Sequence, residues 1–126
     1  MSQAQPLSRT ALIVEDDADQ RWLTAMLLQE TGLETIECDS AEAALAVVEI
    51  KGDLMAMVFT DIGLAGRMDG VELAQNLDAR RPDVSVIVTS AERSRRVDLP
   101  DNVIYLAAPW RPLDVLIVAE RARRAA

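Results

Sequence analysis

The sequence predicts an α/β fold, with one parallel sheet of five strands covered on both faces by helices. Three observations lead there. Short continuous apolar runs recur, such as Ala11-Leu12-Ile13-Val14 and Leu54 to Phe59, as strands buried on both faces require. A stretch with helical character follows each strand except the fourth. Caps and breakers (Gly32, Ser40, Gly52, Pro82, Pro112) fall at the expected boundaries.

Taken in order, residues 1–8 read as a disordered arm and residues 9–126 as one domain. Ala11 to Val14 is the first strand. Residues 17–31 read as a helix with Leu23 and Leu27 as core positions and Trp22 facing outward, ended by Gly32. Leu33 to Cys38 is the second strand. Ser40 is a good N-cap for the Ala-rich helix 41–51, which stops at Gly52. Residues 54–60 form the third strand, and residues 70–80 the third helix, halted before Pro82. Val84 to Thr89 and Val103 to Ala107 are the fourth and fifth strands, and a helix spans 111–124 with Pro112 in its first turn. The link SAERSRRVDLPDN, residues 90–102, offers only Val97 and Leu99 to bury, so the helix between these last two strands is expected to be shortened or absent. Five strands with short loops suggest the flavodoxin-like doubly wound order 2-1-3-4-5.

Composition narrows the function. A chain of 126 residues with 50% hydrophobic and 3% aromatic content builds one domain with an aliphatic core. The net charge of −8 argues against a nucleic-acid backbone as partner. The basic last turn, Arg121 to Arg124, is accounted for by a helix C-terminus. With no histidine, Ser-His-Asp catalysis, zinc-histidine sites and phosphohistidine chemistry within this chain are excluded. One cysteine, Cys38, forbids an internal disulfide and fits a reducing compartment. No apolar run is long enough to span a membrane, and the N-terminus lacks a signal-peptide core, which points to the cytoplasm and to no membrane partner.

In doubly wound sheets, ligands bind outside the carboxyl ends of the strands. Glu15 and Asp16 follow the first strand, Asp61 ends the third, and Thr89 ends the fourth. Acids from two strands can converge on a hard cation such as Mg2+, which prefers oxygen ligands. A carboxylate facing such an ion can act as nucleophile toward a phosphoryl group, with Thr89 donating to its oxygens. Acids at a helix N-terminus are also simply favourable, and this suffices for Asp17 and Asp19. It does not explain Asp61.

These residues resemble the receiver domain of two-component response regulators, over about residues 9–124. The resemblance rests on Leu12-Ile13-Val14-Glu15-Asp16, Asp61, Met68-Asp69-Gly70, Thr89-Ser90 and Tyr105, in that order and spacing. It implies that Glu15, Asp16, Asp61 and the backbone carbonyl of Gly63 hold Mg2+, that Asp61 is the phosphoacceptor, and that Thr89 and Tyr105 form a switch pair. Tyr105 reads equally well as a packed core residue. The implied donor is a sensor histidine kinase, and the chain would be no enzyme beyond its own phosphorylation and dephosphorylation. No further domain follows residue 126, so a single-domain regulator signalling through protein contacts is the expectation.

Two departures stand out. The loop after Asp61 is one residue longer than the family's usual motif, with Ala65 where Pro is common. The family's usual lysine is Ala108 here, and the only lysine in the chain is Lys51. Arg67, Arg93 or Arg111 are candidate substitutes, although a guanidinium is not equivalent to an ammonium. The alternative function is therefore a degenerate receiver that docks a partner regardless of phosphorylation. A flavin or nucleotide binder is disfavoured, because no Gly-rich loop follows the first strand. The first and last helices carry surplus apolar residues, and Trp22, Met26, Leu113 and Ile117 are expected to form a homodimer interface.

Overall fold

The computed structural model describes residues 9–90, 98–107 and 110–125. Strands β1 (Thr10–Val14), β2 (Glu34–Cys38), β3 (Met55–Asp61), β4 (Ser85–Ser90) and β5 (Ile104–Ala107) form one parallel sheet in the order β2-β1-β3-β4-β5. The described helices are α1 (Ala18–Gln29), α2 (Ala41–Lys51), α3 (Gly70–Arg80) and α4 (Pro112–Ala125). Fold class and strand order are those expected.

Successive residues of a strand face opposite sides, so each apolar run feeds two cores. Leu12, Val14, Val58, Val86 and Val88 pack with Ala44 and Val48 of α2 and Leu73 and Leu77 of α3. Ala11, Ile13, Met57, Phe59 and Ile87 pack with Ala25 and Leu28 of α1 and Val115, Val118 and Ala119 of α4. Each fully buried Leu, Ile or Val contributes about 1.5–3 kcal/mol. This two-sided burial is why the strands read as continuous rather than alternating.

Side chains fix the helix starts. Asp17 accepts from the Gln20 N–H at 2.9 Å, and Ser40 accepts from the Ala43 N–H at 3.1 Å. At α3, Asp69 accepts from the Glu72 N–H at 2.9 Å while Glu72 accepts from the Asp69 N–H at 3.2 Å, a reciprocal capping box. Pro112 opens α4, where it lacks only a donor that would be orphaned anyway.

The reading of α1 needs one correction. Leu23 is 49% exposed, and Leu27 is only partly buried against the core. The buried line is Thr24, Ala25 and Leu28. Small side chains at 24 and 25 let the helix lie close on the sheet, and Leu23 sits about 100° round from Thr24. Trp22 does face solvent. The expected arm, residues 1–8, and most of the link expected to lack a full helix, residues 91–97, lie outside the described residues. Residues 98–103, on its far side, carry no helix.

Candidate functional site

β1 and β3 are neighbours, with Val14 paired to Thr60. The next residues, Glu15 and Asp61, therefore leave the sheet side by side. Asp16 follows at the entry to α1. One carboxylate oxygen from each of Glu15, Asp16 and Asp61 lies within 4.8 Å of the others. All three line a cleft of about 270 Å³, together with Asp17, Gln20, Thr89, Ser90 and Trp110.

The local chain is tied down tightly. The Glu15 N–H donates to the Cys38 carbonyl at 3.0 Å, and its own carbonyl accepts from Arg21 Nη1 at 2.8 Å. Its carboxylate accepts from the Asp17 N–H at 3.1 Å. Asp16 Oδ2 accepts from the Ala65 N–H at 3.2 Å, and Glu42 Oε2 accepts from the Met68 N–H at 3.1 Å. The long loop between β3 and α3 is thus anchored by one acid at its middle and another near its α3 end. Gly66, at φ 106°, makes the turn between these anchors.

Burial pushes the Glu15 carboxyl up to about 7; the Asp17 N–H opposes this, while the charges of Asp61 and Asp16 and a hydrogen bond with Asp16 add to it. Three crowded oxygen donors, one of them poorly tolerant of its own charge, suit a small hard divalent cation. The donor set therefore fits Mg2+.

Thr89 is paired with Asp61 across the β3–β4 ladder and is buried. Its hydroxyl donates to the Thr60 carbonyl at 3.5 Å, the long limit of a hydrogen bond. Gly63 borders the acid: a β-carbon there would stand 3.9 Å from Asp61 Oδ2. Tyr105 pairs with Val88 and packs on the α2–α3 core, away from the cleft lining. Arg111 is engaged by Asp114, which accepts from its N–H at 2.8 Å and from its guanidinium at 3.5 Å. Arg67 is exposed, and no arginine or lysine lines the cleft among the described residues. Arg93 and Ala108 lie outside the described residues.

Sequence reasoning missed Gln20 and Trp110 as lining residues. Trp110 follows the fifth strand, so the strand-end rule that found Asp61 could have found it.

Residues 11–100 match the family described as the response regulator receiver domain. The chain belongs to that family. It is 34% identical over 121 residues to the nitrogen assimilation regulatory protein NtrX of Azorhizobium caulinodans, covering 92% of this chain and 26% of that one. It is 30% identical over 122 residues to the phosphate regulon transcriptional regulatory protein PhoB of Pseudomonas aeruginosa, covering 87% and 49%. The receiver thus spans between a quarter and a half of these relatives' length. Among solved structures it is similar to the receiver domain of NtrX from Brucella abortus, with a TM-score of 0.77 at 29% identity over 92% of this chain and 99% of that one. Receiver domains are signalling modules rather than enzymes in the ordinary sense. No described helix of this receiver is long and apolar enough to cross a membrane.

Four apolar side chains of α1 and α4, which pack together, are solvent-exposed: Trp22 59%, Met26 44%, Leu113 54% and Ile117 44%.

Proposed function

We propose that this receiver accepts a phosphoryl group on Asp61 from the phosphohistidine of a sensor histidine kinase, in the cytoplasm, and signals through protein contacts. The convergence of Glu15, Asp16 and Asp61 beside Thr89 carries this reading. A carboxylate oxygen of Asp61 attacks phosphorus; the P–O bond forms as the P–N bond breaks, and the electron pair returns to the kinase imidazole. Glu15, Asp16, Asp61 and the Gly63 carbonyl would hold Mg2+, which supplies positive charge to the phosphoryl oxygens. Thr89, only loosely held by Thr60, turns its hydroxyl to a phosphoryl oxygen, and Tyr105 on the neighbouring strand is the second half of the switch.

Output through a homodimer built on Trp22, Met26, Leu113 and Ile117 is part of the same proposal, supported by their exposure on adjacent helices. A monomer by analytical ultracentrifugation at high micromolar concentration would remove it.

A second reading has one observation in its favour. Ala108 replaces the usual lysine, and among the described residues no cation lines the cleft. On that reading the receiver docks a partner without being phosphorylated. Intact-protein mass decides between them, measured after incubation with a small acyl phosphate and Mg2+. One added phosphoryl group on wild type but not on Asp61→Asn supports transfer. No addition, with Mg2+ binding established separately, supports docking.

A further inference from the structure

We propose that Trp110 is the wall that keeps water from the phosphoryl group on Asp61, and so sets how long that group survives. This rests on the reading of Asp61 as phosphoacceptor. Trp110 is half-buried and lines the same cleft as Asp61, Thr89 and Ser90. Its ring meets Phe59 edge to face, with centroids 6.3 Å apart and planes at 77°. Phe59 is 4% exposed and lies two residues before Asp61, on the same face of β3. The strand that carries the acceptor therefore also seats the indole.

The rest of the described lining holds water rather than excluding it. It consists of carboxylates, an amide and two hydroxyls, and Trp110 is its one large apolar side chain among the described residues. The whole chain has only two Trp, one Tyr and one Phe; one of these four lines the cleft and a second, Phe59, packs behind it in the core. An acyl phosphate is lost when a water oxygen attacks phosphorus. The new P–O bond forms, the bond to Asp61 breaks, the carboxylate leaves with the electron pair, and the water's proton goes to solvent or to phosphate. The indole fills space that this water would otherwise occupy, and it lowers the local dielectric around the charged groups. Trp110 is a positioning residue here, since it takes no part in bond making.

The test phosphorylates wild type, Trp110→Leu and Trp110→Ala with a small acyl phosphate and Mg2+, removes the donor, and follows the decay of the added mass. Lifetimes should shorten in the order Trp, Leu, Ala, with Ala at least about fivefold shorter than wild type. Decay is followed at a temperature where circular dichroism shows each variant fully folded, so that unfolding does not contribute to it, and the Leu variant carries the test if the Ala variant fails to fold. Lifetimes are compared at saturating Mg2+, so that a change in metal affinity caused by the altered cleft does not enter the decay rate. Equal lifetimes in all three proteins would overturn the proposal while leaving Asp61 as acceptor. A wild type that takes no phosphoryl group would overturn the acceptor reading and this proposal with it.

Discussion

Replacing Gly70 with Ala adds one methyl group where the fold has no room for it. Gly70 is the first residue of α3, and its N–H donates to the Ile62 carbonyl at 3.0 Å. A β-carbon there would fall on the carbonyl oxygen of Asp61 and within 2.8 Å of both the Asp61 carbonyl carbon and Ile62 Cα. Ordinary carbon contacts are about 3.5–4.0 Å, so the helix start and the strand end must separate by roughly 1 Å. The obstructing atoms are backbone, and no side chain can swing aside. Overpacking of this kind costs about 1–3 kcal/mol, and relief of glycine's entropy returns at most about 1 kcal/mol. A net loss of about 1–2 kcal/mol corresponds to a midpoint roughly 3–12 °C lower for a domain of this size. The displacement falls on Asp61 itself, so Mg2+ affinity by calorimetric titration should drop at least about tenfold. Gly63→Ala is the control: its nearest neighbour is Asp61 Oδ2 at 3.9 Å, and it should unfold within about 0.5 kcal/mol of wild type. If Gly70→Ala melts with wild type and binds Mg2+ equally well, the contact between α3 and the end of β3 does not hold Asp61 in place.

Other outcomes follow from the same geometry. Glu15 has a folded-state pKa raised above its unfolded value, so the stability it contributes is full below about 4.5 and is lost as pH rises through about 7. Without metal, Glu15→Gln should therefore flatten the fall in thermal midpoint between pH 5.5 and 8, whereas in wild type Mg2+ affinity should rise across that interval; a fall in affinity would contradict the assignment. Asp69→Ala removes the N-cap and its box and should cost about 1–2 kcal/mol in urea unfolding. Ala108→Lys restores the usual ammonium and should raise the rate of phosphorylation by a small acyl phosphate by about tenfold; an unchanged rate would mean that this receiver does not use a cation there. Trp22→Glu should shift a sedimenting dimer to monomer, and at concentrations where both proteins are monomeric it should cost no more than about 0.5 kcal/mol in urea unfolding, because the side chain is exposed in the single chain.

Much of this was legible in the sequence, for identifiable reasons. Strands buried on both faces leave unbroken apolar runs, and Ser40, Pro82 and Pro112 mark boundaries chemically. Glu15, Asp16 and Asp61 could be grouped because the strand-end rule places them before any coordinates exist. The face of α1 could not be read the same way. Leu23 outranks Thr24 in hydrophobicity, but the sheet accepts the smaller residue because close approach matters more than side-chain size. The capping box of Asp69 and Glu72 was legible and overlooked, hidden behind the Asp-Gly motif it belongs to. The tether from Ala65 to Asp16 was not legible at all, since it joins positions 49 residues apart through the path of a loop.

That tether gives Asp16 two allegiances. The same carboxylate faces the acid cluster and holds the loop beside Asp61. Where one group serves two sites, thermodynamic reciprocity applies: if a partner bound to the loop changes the affinity of the cluster for an ion by some factor, the ion changes the partner's affinity by that same factor. A protein that docks against residues 62–69 would therefore tune the affinity of the cleft for cation without touching it, and a change in free Mg2+ would be felt at the docking surface.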